Sequence, residues 1–211
     1  MSLWLKTRRT ISAIAALTAW LGLFVFCDSM VRAAPLNEPI SLNAAGSIDQ
    51  DIRLWVPETY YLDLTFSRAN TSFEELQEMI GSSFPKADGT PIQIAWSIKD
   101  RKGMPVAGDT TTAKGAGGWS DAFVYRSIAQ VQVVPGTYRF HAQILEPVPR
   151  LAQLSPHLQL SLSFTGNSSW QMAILWWGMV ANVFIGLPIV LGMVAYLLFI
   201  VVRHLTSLHY S

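Results

Sequence analysis

Ile92-Gln93-Ile94-Ala95-Trp96-Ser97-Ile98-Lys99 decides how this chain folds. Its large apolar side chains fall on even positions, and its polar or small ones fall on odd positions. That period of two belongs to a β-strand with one face in a core and the other toward water. The same alternation recurs on both sides. Leu62, Leu64 and Phe66 alternate with Asp63 and Thr65, and Leu158, Leu160, Leu162 and Phe164 alternate with Gln159, Ser161, Ser163 and Thr165.

Further strands are expected at 39–46, at 52–56 before Pro57, at 122–133 and at 137–145. Pro135-Gly136 supplies the turn into the last of these. One helix interrupts the series. Ser72-Phe73-Glu74-Glu75 is a capping box, and Phe73, Leu76, Met79 and Ile80 form an apolar stripe that Gly81 and Pro85 end. The segments 103–108 and Lys114–Gly118 read as loops, and Asp109 before three threonines reads as a turn. Six to eight short strands and one short helix indicate a mainly β domain, an immunoglobulin-like or jelly-roll-like sandwich. No internal repeat is visible.

Two apolar segments bracket this body. The first runs from Ile11 to Cys27 behind Lys6, Arg8 and Arg9, and the small residues Val31 and Ala33 follow it. Residues 1–34 thus form a signal peptide cleaved after Ala33, with an uncleaved N-terminal anchor as the alternative. Phe26 stands where a lipobox would need a small residue, so Cys27 is not read as a lipidation site. The second segment, Met172 to Val202, holds Asn182 as its one clearly polar residue. A transmembrane helix is expected at 178–202, tilted or kinked at Pro188. An interfacial hinge at 167–177 precedes it, with Trp170, Trp176 and Trp177 as an aromatic belt, and a tail at 203–211 follows. Asn182 reads as an interfacial residue in preference to a contact between membrane helices. Basic flanks at Lys6, Arg8 and Arg9 and at Arg203 keep both ends in the cytoplasm, which puts the domain of residues 35–166 on the far side of the bilayer.

The formal charge of +1 and a charged fraction of 14% lack the basic face of a nucleic-acid binder. Cys27 is the single cysteine, so the sandwich has neither a disulfide nor a cysteine metal site. Chemistry is scarce as well. Lys114-Gly115-Ala116-Gly117-Gly118 does not open a helix as a phosphate loop must. Gly118-Trp119-Ser120-Asp121-Ala122 misses the nucleophile elbow by one residue, and the chain lacks the strand–helix alternation an elbow needs. His141 reads as an ordinary strand residue and His157 as a strand-edge residue. The triplets from Asn70 and Asn167 fit the glycosylation sequon, which matters only in a eukaryotic source. No catalytic, metal or cofactor residue is therefore expected. The candidates for recognition are Trp55, Tyr60, Tyr61, Trp119 and Tyr125, one or two of them as exposed anchors.

The order of signals is itself informative. Tyr60-Tyr61-Leu62-Asp63-Leu64-Thr65-Phe66 is followed by the short helix, by Gly89-Thr90-Pro91 and by Pro135-Gly136-Thr137-Tyr138-Arg139. Glu146-Pro147-Val148-Pro149-Arg150 precedes the last strand. This resembles an uncharacterised family of bacterial envelope β-sandwich proteins, often exported or lipid-anchored and defined only as a domain of unknown function. The resemblance implies a bacterial inner membrane and a periplasmic domain; the C-terminal membrane helix and the missing lipobox depart from the pattern. The expected function is a non-enzymatic recognition module anchored in the lipid bilayer. Its protein partner is expected to be either a periplasmic toxin that it neutralises, in the manner of an immunity protein, or a subunit of an envelope complex. A hydrolase of envelope material built on Ser120 and His141 is the remaining expectation.

Overall fold

The structure is a computed structural model, and it describes residues 3–68, 71–83, 86–162 and 169–209. The sequon asparagines Asn70 and Asn167, Pro85 and the end of the last expected strand lie outside the described residues. The chain divides into two compact units, Arg32–Ser169 and the two terminal segments Met1–Val31 and Trp170–Ser211.

The first unit is a sandwich of two antiparallel sheets. Its strands are β1 (Leu36–Pro39), β2 (Ser47–Leu54), β3 (Thr59–Ser67), β4 (Ser82–Ser83), β5 (Lys86–Ala87), β6 (Ile92–Lys99), β7 (Pro105–Ala113), β8 (Gly118–Trp119), β9 (Phe123–Gln132), β10 (Gly136–Ile144) and β11 (His157–Leu162). One sheet has the order β1-β11-β3-β9-β8 and the other β2-β10-β6-β7, with β4 and β5 as a separate ribbon. Alternation places the inward residues as expected. Leu62, Leu64 and Phe66 from one sheet meet Ile92, Ile94, Ile98 and Phe140 from the other in a single buried core.

Two expectations are corrected. The segment 39–46 is not a strand: β1 ends at Pro39, and the chain then buries Ile40 and Leu42 through single loop hydrogen bonds. Ile40 N–H donates to Pro156 O at 3.0 Å, and Leu42 O accepts from Val148 N–H at 2.7 Å. Conversely, Pro105–Ala113 is a strand, not a loop and turn. It forms the edge of its sheet and pairs with β6, and most of its side chains are exposed. Its inward positions are the small or polar Ala107, Asp109, Thr111 and Ala113, so it carries no apolar alternation and its sequence resembles a loop.

Helix α2 (Phe73–Ile80) has the expected capping box. Glu75 N–H donates to Ser72 Oγ at 3.2 Å, and Ser72 N–H donates to Glu75 Oε2 at 3.3 Å. Leu76, Met79 and Ile80 are buried, while Phe73 stays largely exposed and packs on Trp119 with ring centroids 5.1 Å apart. A short helix, α3 (Pro149–Ala152), precedes β11.

The end of α2 is held by an interior cation that the alternation did not mark. Arg126 on β9 points into the core and is fully buried. Its Nε donates to Ile80 O at 3.0 Å, and its Nη2 donates to Met79 O at 3.1 Å and Ile80 O at 2.5 Å. Its Nη1 donates to Thr90 O at 2.5 Å and to Ala113 O at 3.4 Å. The guanidinium thus supplies donors to carbonyls of the last helical turn, which have no partner within the helix. Burial pulls its pKa down to about 10, which still leaves it charged at neutral pH.

The second unit consists of helices. α1 spans Leu3–Arg32, and a C-terminal helix runs as α4 (Trp170–Ala181), a π-helical stretch (Asn182–Gly186) and α5 (Leu187–His209). Thr7–Arg32 and Trp170–Arg203 are long and apolar enough to cross a membrane. Residues 170–177, expected as part of a hinge, are helical. The π turn sits just before Pro188, whose ring nitrogen has no hydrogen to give the carbonyl four residues back. The ladder adjusts there, with Leu187 N–H donating to Asn182 O. Gly178 lies against the ring of Phe24 of α1, so a side chain there would collide with it.

Candidate functional site

The expected recognition residues separate into four places. Tyr60 is core, 1% exposed, because it occupies an inward position of β3, with its hydroxyl donating to Val56 O at 3.2 Å. Trp119 covers Phe73 and packs against the core edge. Trp55 is exposed at the β2–β3 turn under the Arg53 guanidinium, which lies 3.9 Å above its ring. Tyr61 and Tyr125 share the outer face of the five-stranded sheet. Trp170, Trp176 and Trp177 are exposed on α4, and Arg203 is exposed near the end of the apolar run.

The outer face around Tyr61 and Tyr125 is the most organised of these. Strand register sets three rows across β11, β3 and β9: Ser161-Tyr61-Gln130, Gln159-Asp63-Ser127 and His157-Thr65-Tyr125. Asp63 is the centre. A bulge at the Leu62–Asp63 step pairs Leu62 with Ala129 and Asp63 with Ser127, leaving Ile128 without a partner. Arg126 and Ile128 point inward before the bulge and Val131 after it, so the kink changes the phase of β9 beside Asp63. Tyr125 lies over the glycine backbone at Gly117 and Gly118, where any side chain would strike its ring. The glycine loop therefore seats a tyrosine.

Asp63 is electrostatically out of balance. Its Oδ1 is shielded from water and has no hydrogen-bond partner, while the Ser127 hydroxyl donates to the carboxylate. Desolvation outweighs that bond and pushes its pKa up to about 6. An acid with a raised folded pKa binds its proton more tightly in the folded chain. The stability it contributes is full below about pH 4 and is lost as pH rises through 6. Asp63→Asn is thus expected to raise Tm at pH 7.5 by a few degrees and to leave it almost unchanged at pH 4. Thermal unfolding at both pH values reads this directly, and equal shifts would remove the assignment.

The outer face of the other sheet is an exposed ion-pair surface. Arg139 Nε donates to Asp49 Oδ1 at 2.6 Å, and its Nη1 lies 3.3 Å from Asp51 Oδ1. The bond from Arg139 holds Asp49 below the usual carboxylate range. His141 lies on this same face, opposite Asp49 and Ser97. The structure therefore does not bring His141 to Ser120, which follows β8 in the other sheet. The Ser120 hydroxyl is engaged in a turn, donating to Phe123 O and accepting from Phe123 N–H, both at 3.0 Å. Among the described residues no cluster of three or more His, Cys, Asp or Glu is placed to hold a metal ion.

Sequence reasoning missed Asp63 because it looks like an ordinary outward member of its strand, and Arg126 because the carbonyls that hold it on an inward position lie far away in sequence. The phase break between Ile128 and Val131 was the available signal for the bulge.

Comparison with known proteins bears on the fold. No curated protein matches the chain. A crystallised protein from Sulfurospirillum deleyianum shares the fold with a TM-score of 0.51 at 15% identity. The match covers 61% of this chain and 97% of that one, so there the fold forms nearly an entire chain. The profile of a domain of unknown function, DUF5625, matches residues 37–162, from the second residue of β1 to the last of β11. The chain belongs to the DUF5625 family, with a long apolar helix on either side of the family domain.

Proposed function

We propose that the protein is a membrane-anchored, non-enzymatic recognition module. Its sandwich works in the bacterial periplasm, and its partner is a protein that meets the Asp63 face. One observation carries this reading. A shielded carboxylate oxygen without a donor opposes folding, and a small rearrangement of this outward face on binding would let a partner supply one. Tyr61 and Tyr125 flank the carboxylate with large, half-buried rings of the kind that anchor interfaces. The basic flanks of the two apolar helices support a sandwich outside the cytoplasm. One concrete partner is a toxin acting in the periplasm, which the tethered domain would meet at high local concentration.

Photocrosslinkers placed at Tyr61 and at Gln130 in intact cells test the face. Adducts are expected at both positions and should disappear when Asp63→Arg is added. Adducts that survive Asp63→Arg would contradict the reading. The immunity version predicts that cells exposed to the matching toxin survive with the wild-type protein and die with Asp63→Arg.

A second reading, an accessory subunit of an envelope complex, is supported by Asn182. Its Nδ2 is shielded and has no partner within an apolar span, and a second membrane helix could supply an acceptor.

A further inference from the structure

We infer that one end of the sandwich, distinct from the Asp63 face, is a docking surface for anionic phospholipid headgroups. The end is formed by three turns: β2–β3 (Trp55–Glu58), β6–β7 (Asp100–Met104) and β9–β10 (Val133–Pro135). Strand register places them together. Leu54 pairs with Gly136, Thr59 with Gln132, and Lys99 with Arg139. Arg101 also reaches from its turn to donate to Thr137 Oγ1 at 3.2 Å.

The chain joins its apolar segments from this same end. β1 enters beside Leu160, and Leu162, the last described residue of β11, pairs with Tyr60 next to the β2–β3 turn. Ser169, one residue before α4, donates its N–H to the buried Glu58 carboxylate in that turn at 2.7 Å. The last residue of the sandwich unit is thus bonded to a residue three positions from Trp55.

The chemistry of this end suits an anionic bilayer surface. Arg53, Trp55, Arg101, Lys102, Gly136 and Thr137 line an open groove of ≈ 590 Å³. Arg53, Arg101 and Lys102 are exposed, and none of them is in an ion pair among the described residues. Asp100 in the same groove accepts from the backbone N–H groups of Lys102 at 2.8 Å and Met104 at 2.9 Å, which fixes the turn that presents Arg101 and Lys102. Apolar residues are exposed on the same turns, with Val134 69% and Met104 62% exposed. Cations on the same turns as an exposed tryptophan and exposed apolar residues match an interface of phosphates over acyl chains. At the opposite end the cations are instead paired with acids, Lys114 with Asp88 at 3.8 Å and Arg150 with Glu78 at 3.5 Å.

Flotation of the sandwich fragment 33–169 with phosphatidylglycerol or phosphatidylcholine vesicles tests this. That fragment contains its whole core, and its fold forms nearly an entire chain in the Sulfurospirillum protein. Binding is expected on phosphatidylglycerol alone and should fall as salt is raised. Each charge removed should weaken it roughly fivefold. The triple variant Arg53→Gln/Arg101→Gln/Lys102→Gln should then lose binding more than tenfold with unchanged circular dichroism, while Lys114→Gln/Arg150→Gln at the far end should bind normally. Lipids brominated near the headgroup should quench tryptophan emission, and Trp55→Phe should abolish the quenching. Equal binding to both vesicles, or a triple variant that still binds, would overturn the inference. Loss of lipid binding with Asp63 crosslinks intact would separate it from the proposed function.

Discussion

Arg126→Met is expected to destabilise the sandwich by about 3–5 kcal/mol, the range for stripping one partner from a buried charged network. Methionine fills much of the volume but donates nothing. The carbonyls of Met79, Ile80, Thr90 and Ala113 would lose the donors that Arg126 directs at them from the core. Arg126→Lys should recover only part of the loss, because one ammonium cannot reproduce a planar fork that serves carbonyls on several segments. Chemical denaturation of the two variants reads the difference. A methionine variant within 1 kcal/mol of wild type, on the order of one ordinary hydrogen bond, would show that these carbonyls find other partners.

Gly89→Val should be nearly as severe, at about 2–4 kcal/mol, through a different cause. Gly89 has φ +61°, and a Cβ there would run into the backbone of Ile80 and Gly81. Gly81 has φ +94° and faces the same segment from the other side. The two glycines let the loop at 87–89 touch the end of α2, with Thr90 N–H donating to Met79 O at 2.8 Å. Arg126 then bonds Thr90 and Ile80 together. Because both substitutions loosen one junction, the double variant should lose less than the sum of the two. Strict additivity would mean that they act on separate structures.

How much of this was legible depended on whether a residue followed the period of its strand. Ile92–Lys99 obeys a period of two throughout, and its strand and its buried face could both be read. β9 obeys it only up to Ile128, so the strand was legible while its bulge and the seat of Asp63 were not. Arg126 sits on an inward position where the pattern calls for an apolar side chain. Only the carbonyls gathered from four distant residues explain it, and sequence spacing does not show them. β7 was missed because an edge strand with small or polar residues on its inward face has no apolar period to detect. Among the recognition candidates, Tyr60 and Tyr61 are neighbours on opposite faces of β3. The parity of Leu62, Leu64 and Phe66, carried two residues back, would have assigned Tyr60 to the core.

Single cysteines placed at Gln130 and at Ser207, in a Cys27→Ser background, test the membrane-anchored account most directly. Cells with an intact cytoplasmic membrane would be treated with a maleimide that cannot cross it. The account predicts labelling at Gln130 without lysis, and labelling at Ser207 only after lysis. Protection of Gln130 in intact cells would put the sandwich in the cytoplasm and contradict the account.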